Sequence, residues 1–283
     1  MKDRNKKQKT GVAGRLLGKK TAVFFILLAA VIAVGVLLAP YLAPNDCLKQ
    51  DLAHKFALPS AQYPFGADEL GRCILSRLLY GGRITLGYSL ASTVISAVIG
   101  TLAGISAGYF GGWIDTLIMR LCDIMYAFPS LVITLVIVAV LGSGMNHILI
   151  ALLVTQWLYY ARISRGLTME AKTHEYVSIA RLTGSSHAAV ILRYILPNIF
   201  PQMIAVTTID FGNTILQISG LSFLGFGVQP PTPEWGMMIS TGRNYINRNA
   251  LIMLWPGLLI LLSVLSVNVI GDYLRDAIDE SQS

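Results

Sequence analysis

Charge is scarce in this chain of 283 residues. Lys, Arg, Asp and Glu together make up 13% of it, about half the share of an ordinary soluble domain. Cysteine is rarer still: Cys47, Cys73 and Cys122 show no CxxC or metal spacing, and although Cys47 and Cys73 could share the external side and pair, free thiols are the expectation for all three. The four histidines (His54, His147, His174, His187) are scattered, with no His-x-x-x-His pair to seat a metal. No Ser-His-Asp or Cys-His set points to nucleophilic catalysis, and no internal repeat is visible.

What fills the chain is apolar sequence: 54% of residues are hydrophobic and the mean hydropathy is +0.61, the balance of a membrane protein. The net charge of +7 does not indicate nucleic acid. Eight of the 22 basic residues (Lys2, Arg4, Lys6, Lys7, Lys9, Arg15, Lys19, Lys20) precede the first apolar run, where positive charge sets orientation in a bilayer.

That first run, Thr21 to Ala39, is uncharged and too long for a signal-peptide core, so it reads as a retained anchor. Further uncharged runs follow at Ile84 to about Ala107, Ile124 to Asn146, Ile148 to Ala161, Ile199 to about Leu221, and Ala250 to Gly271. The simplest count is six transmembrane helices and an all-α fold. With a cytoplasmic N-terminus, six crossings return the C-terminus to the cytoplasm. The inside segments then hold 15 of the Lys and Arg residues and the outside segments seven (Lys49, Lys55, Arg72, Arg77, Arg83, Arg243, Arg248).

Within the second run, Ser92, Ser96, Gly100, Gly104 and Gly108 place small residues at every fourth position of one helix face. Such a stripe admits a close helix neighbour, either in the same chain or in a second subunit. Before it, Leu70, Ile74, Leu75, Leu78 and Leu79 share a face, with Asp68 and Glu69 suited to a helix start and Gly81-Gly82 to its end. The expectation there is an amphipathic helix on the outer membrane surface. After the fifth run, the prolines of GFGVQPPTPEWG interrupt any helix, and Trp235 suits an anchor at the lipid interface.

The stretch from Glu175 to Phe200 is charged and polar, between two apolar runs. Thr173 is a candidate helix cap, Glu175 suits the positive end of the helix dipole, and Gly184 suits a left-handed stop. Ser185 or Ser186 would start a second helix, which Pro197 and Pro201 stop or bend as it enters the membrane. The expected product is a short cytoplasmic helix hinged to a membrane span, either a lever or an ordinary structured loop.

Within the fifth run, Thr207, Asp210, Thr214 and Gln217 recur at helical spacing, with Asn213 beside them. A carboxylate at that depth costs about 2.5–3.5 kcal/mol on insertion scales, so it should face a wet pathway or a protein partner.

These residues resemble a family. Ser178, Ile179 and Ala180, then Gly184, then Leu196-Pro197 have the spacing of the EAA loop of ABC importer permeases, with Ser178 at the usual Glu position, Ile179 at the first Ala and Tyr194 at the usual Ile. FGADELGRCILSRLLYGGRITL, AGYFGGWIDTLIMRLCDIMYAFPSL, LSFLGFGVQPPTPEWG and NVIGDYLRDAID resemble the dipeptide, oligopeptide and nickel branch, over roughly Pro64 to Asp279. The resemblance implies a type I importer permease of the bacterial inner membrane. It would pair with a homologous second permease, two cytoplasmic ATPase subunits and an external substrate-binding protein. ATP and magnesium would belong to the ATPase partners and no cofactor to this chain.

It also implies that Glu175, Tyr176, Ser178, Ile179, Ala180, Arg181, Gly184, Leu196 and Pro197 form the coupling element that an ATPase grips. On this reading residues 1–20 are a cytoplasmic N-terminus, 21–43 the first span, and 44–83 an external segment. Residues 84–272 are the permease core with its coupling loop at 162–198, and 273–283 a cytoplasmic C-terminus. RLTG, TTIDFG and PTPEWG look closer to nickel-type members, which leaves nickel, a metal chelate or a peptide as cargo. GRLLGKKT, Gly14 to Thr21, is one residue short of a phosphate-binding loop and runs into a membrane span, so it is not read as one. The rival reading is a carrier driven by an ion gradient, with Asp210 as its relay.

Overall fold

The computed structural model describes residues 20–282. The basic stretch 1–19 and nearly all of the Gly14 to Thr21 segment lie outside the described residues. Among the described residues there is no β-strand, and nine helices of eight or more residues account for most of the chain.

The first helix, α1 (Lys20–Leu37), is apolar on all sides and mostly uncovered by the rest of the chain, as a helix in lipid should be. The second, α2 (Ile74–Phe110), is 37 residues and about 55 Å long at 1.5 Å per residue. Here the structure corrects the expected amphipathic surface helix. Leu70 lies outside any helix, the helix begins only at Ile74, and it runs straight through Gly81-Gly82 into the membrane span. Asp68 and Glu69 do not start it. They pair instead with Arg72, at 2.7 and 2.6 Å, while Arg77 reaches Asp68 and the carbonyls of Cys47 and Pro231, a buried charge cluster that ties three loops together. Burial pushes the Glu69 carboxyl up, and the adjacent Asp68 adds to the shift.

The expected uniform span from Ile124 to Asn146 is also corrected. It consists of the end of α3 (Gly112–Tyr126) and all of α4 (Ser130–Leu141), bent by 83° at the break between them. Pro129 is the cause, since it lacks an amide hydrogen and excludes Phe128 from helical backbone angles. Two ion pairs pin α3 to the next long helix, α5 (Met145–Ala171): Arg165 grips Asp115 with two nitrogens, and Arg162 meets Asp123 at 2.6 Å.

The chain then forms α6 (Glu175–Leu182), α7 (His187–Phe223), α8 (Trp235–Arg243) and α9 (Leu251–Gln282). Pro197 and Pro201 do not stop α7. A wider π turn at Ile191–Ile195 precedes them, and it gives room to the Arg193 carbonyl that the Pro197 ring would otherwise strike. Among the described residues, four helices (α1, α2, α7, α9) are long and apolar enough to cross a membrane, or five if the bent pair α3 and α4 is one span.

The closest helix packing is between α2 and α5. A Cβ at Gly100 would overlap the Trp157 carbonyl, and one at Gly104 would overlap Ser164 and Ala161. Ser92 donates to Gln156 at 2.9 Å, and Ser96 is fully buried. The small-residue stripe packs against a helix of the same chain.

Trp235 is a further correction. It is fully buried, with its ring against Gly82 and its Nε1 donating to the Leu78 carbonyl at 2.8 Å, so it anchors a loop to α2 rather than to lipid. Beside it Glu234 is equally enclosed, accepting from Thr85 Oγ1 at 2.7 Å and from the Met237 amide at 2.9 Å.

Candidate functional site

Two groups of residues singled out in the sequence occupy distinct places. The first is α6. Its start lacks the expected Thr173 cap: His174 holds the cap position without a side-chain bond, and the Thr173 hydroxyl donates back to the Glu170 carbonyl. Glu175 does stand in the first turn. Gly184 closes the helix at φ +87°, where Ser185 N–H donates to the Ala180 carbonyl and Gly184 N–H to the Arg181 carbonyl. These two bonds are a Schellman stop. Ser186 then caps the start of α7 by accepting from the Ala189 amide.

One face of α6 is part of the core. Val177 and Ala180 pack among Tyr109, Tyr160, Val190 and Ile199, which joins the helix to α2, α5 and α7 at once. The opposite face carries Tyr176, Ile179 and Leu182, spaced three apart and exposed, Leu182 at 86%. Glu175, Ser178 and Arg181 flank them in the open. Three uncovered apolar side chains rimmed by polar ones are the composition of a protein contact. Tyr176 also bonds to Asn198, one residue past Pro197, at 3.0 Å, and Leu196 and Pro197 lie in α7 directly after its π turn.

The second group lies on α7. Asp210 is half-buried and accepts a 2.7 Å hydrogen bond from the hydroxyl of Tyr160, a fully buried residue of α5. Thr214 is fully buried; it accepts from Gln156 Nε2 at 3.0 Å and from Thr93 at 3.1 Å, and it bonds to the Asp210 carbonyl. Asn213 and Gln217 are exposed on the adjoining face. Thr207, half-buried, borders a mostly apolar cavity of about 530 Å³ between α2, α7 and α9, together with Thr93, Thr101 and Thr208. The five residues thus divide: Thr214 belongs to a polar knot inside the bundle, whereas Asn213 and Gln217 look outward. The knot's other members, Ser92, Thr93, Gln156 and Tyr160, were not assigned to the pathway from sequence, although a Gln inside an apolar run was a legible signal.

Long apolar helices around an internal polar knot, with a short helix slung between α5 and α7, define an integral membrane permease. The chain belongs to the family of binding-protein-dependent transport system inner membrane components, whose model matches residues 100–283. It is 37% identical to the nickel transport system permease protein NikC of Escherichia coli K12, over 90% of this chain and 92% of that one. It is 41% identical to the glutathione transport system permease protein GsiD of Escherichia coli O157:H7, over 92% of this chain and 85% of that one. In fold it resembles a chain of the MetNI methionine ABC transporter in an inward-facing conformation, with a TM-score of 0.57 at 18% identity, covering 71% of this chain and 96% of that one.

Proposed function

We propose that this chain forms one half of the transmembrane pathway of an ATP-driven importer, and that α6 is the contact through which a separate ATPase moves it. The carrying observation is the division of α6: Val177 and Ala180 inside the core, Tyr176, Ile179 and Leu182 outside it. A partner that grips the outer face moves the inner face, and with it α7 through Tyr176 and Asn198. ATP-bound partners favour one orientation of the pathway and hydrolysis products the other, a population shift without chemistry in this chain. ATP and magnesium are assigned to two ATPase subunits, and the other half of the pathway to a homologous permease.

Six crossings fit this role. The sixth is α5, about 40 Å long at 27 residues; enclosed by α2, α4 and α7, it carries Gln156 at a depth where lipid exposure would be costly. The excess of basic residues on the α6 side supports a cytoplasmic location for that side and both termini, and an external binding protein would then meet the side of the Pro231 to Glu234 loop. The proposed cargo class is nickel, another metal chelate or a small peptide, because similarity is nearly even between relatives named for nickel and for glutathione.

The test is a single cysteine at Ile179 or Leu182 in the assembled transporter, cross-linked during turnover. Capture of a nucleotide-hydrolysing subunit, together with loss of uptake on ATP depletion at a clamped ion gradient, is the expected result. Uptake that survives ATP depletion would establish the ion-driven carrier instead.

A further inference from the structure

Arg83 stands where two cavities meet. On the membrane side, α1 packs against α9 and touches α2 near Val36, and between these contacts a slot of about 390 Å³ remains among α1, α2, α7 and α9. Its walls are Ala29, Ala33 and Val36 on one side and Leu86, Gly87 and Leu90 on the other, with Arg83 and Ser263 as the lining residues that carry polar side chains. The positions from Arg83 to Leu90 make the slot roughly 10 Å deep at the helical rise. On the loop side, Arg83 also borders a second cavity of similar volume, shared with Tyr80, Thr232 and the Cys47-Leu48 segment. The Arg83 side chain is exposed and has no hydrogen bond or ion pair among the described residues. At the floor of the slot the buried Ser263 hydroxyl is likewise unpartnered.

The order along this path is apolar slot, free cation, and a second, mostly apolar cavity that Tyr80 and Thr232 help to line. An apolar slot that ends at an unpaired cation matches the acyl chain and the phosphate of a glycerophospholipid. We infer that this is a phospholipid site, with an acyl chain between α1 and α2, the phosphate on Arg83, and the headgroup among the loops. An unpaired guanidinium selects a phosphodiester by charge and by its fork of donors, so the site prefers a lipid with net negative charge to a zwitterionic one. The small residues Ala29, Ala33 and Gly87 leave the slot unfilled: larger side chains at these positions would occupy it. A Cβ built on Gly87 meets nothing within 4 Å, so a ring at this position fills the slot without displacing the backbone.

The transporter is extracted from its membrane with its subunits, exchanged into detergent, and its retained phospholipid is quantified by phosphorus content and mass spectrometry. Wild type should retain about one phospholipid per copy of this chain, enriched in anionic headgroups over the bulk membrane. Arg83→Gln should keep a lipid but lose that enrichment by about fivefold or more. Gly87→Phe should lose the lipid while the subunits still co-purify. A photoactivatable anionic phospholipid added to the wild-type membrane should label Ala29 to Leu37 and Leu86 to Leu90 above other helices. The inference is overturned by uniform labelling, by anionic enrichment unchanged in Arg83→Gln, or by a Gly87→Cys cross-link to a second permease, which would show that protein fills the slot.

Discussion

Asn198 donates its side-chain amide to the Tyr176 hydroxyl at 3.0 Å, a link between the short helix α6 and the part of α7 just beyond Pro197. The bond is exposed, so its contribution to overall stability is small, about 0.5–1.5 kcal/mol. Its position gives it more weight in transmission, because it lies between the outer face of α6 and a helix with a polar stripe. Tyr176→Phe and Asn198→Ala should each leave assembly with the ATPase unchanged and lower uptake per ATP hydrolysed. The double variant should be no worse than either single one, since all three lack the same bond. Additive losses in reconstituted vesicles would show that the two residues act separately.

The same substitution on one helix should have opposite signs at two positions. At Gly104 a new Cβ collides with Ser164 and the Ala161 carbonyl of α5, so Gly104→Ala should lower the thermal midpoint in detergent, by an amount equivalent to about 1–3 kcal/mol. At Gly87 the space is open, and Gly87→Ala should raise it by about 0.5–1 kcal/mol through helix propensity alone. Equal effects at both sites would mean that α2 and α5 are not packed as described.

The difference between Gly81-Gly82 as read and as found shows what sequence carried and what it did not. Local chemistry was legible: Gly184 ends α6, Ser186 starts α7, and the apolar runs mark the long helices. The glycine pair looked like a stop because nothing local shows that Glu234 and Trp235, some 150 positions later, lie against it. For the same reason Trp235 read as an interface residue, when the one polar atom of its side chain is satisfied by Leu78. The bend at Pro129 was legible and was masked by the apolar residues on both sides. At the polar stripe, periodicity placed Asp210 and Thr214 on one helix, but only packing shows that Thr214 turns inward to Gln156 while Asn213 and Gln217 turn out.

Glu234 offers a pH test. Full burial pushes its carboxyl above the usual range, and the bonds from Met237 and Thr85 offset only part of that. The folded state therefore holds this proton more tightly than the unfolded chain does. Its contribution to stability is fully present below the unfolded value near 4.5 and is lost as pH rises toward the raised folded value. Glu234→Gln, uncharged throughout, should flatten that part of the curve of thermal midpoint against pH. Glu234→Ala strands the Met237 amide and the Thr85 hydroxyl, and should cost about 1–3 kcal/mol at every pH. A wild-type curve that rises with pH across this interval would contradict the assignment.

Asp210 separates a pathway role from a structural one. Its carboxylate is held by the Tyr160 hydroxyl at 2.7 Å, and that tyrosine is packed against the residues that seat α6, so a structural bond and a transport role both pass through the same pair. Asp210→Asn keeps an acceptor for Tyr160 and removes the charge; Tyr160→Phe keeps the charge and removes the bond. If the carboxylate meets cargo, Asp210→Asn should retain a near wild-type thermal midpoint yet slow uptake roughly tenfold, equivalent to about 1.4 kcal/mol in the barrier. Tyr160→Phe should then lower the midpoint more than it lowers uptake per folded transporter. The reverse pattern, with Asp210→Asn losing stability and uptake in proportion, would make Asp210 a bundle fastener and leave Asn213 and Gln217 as the polar surface that cargo meets.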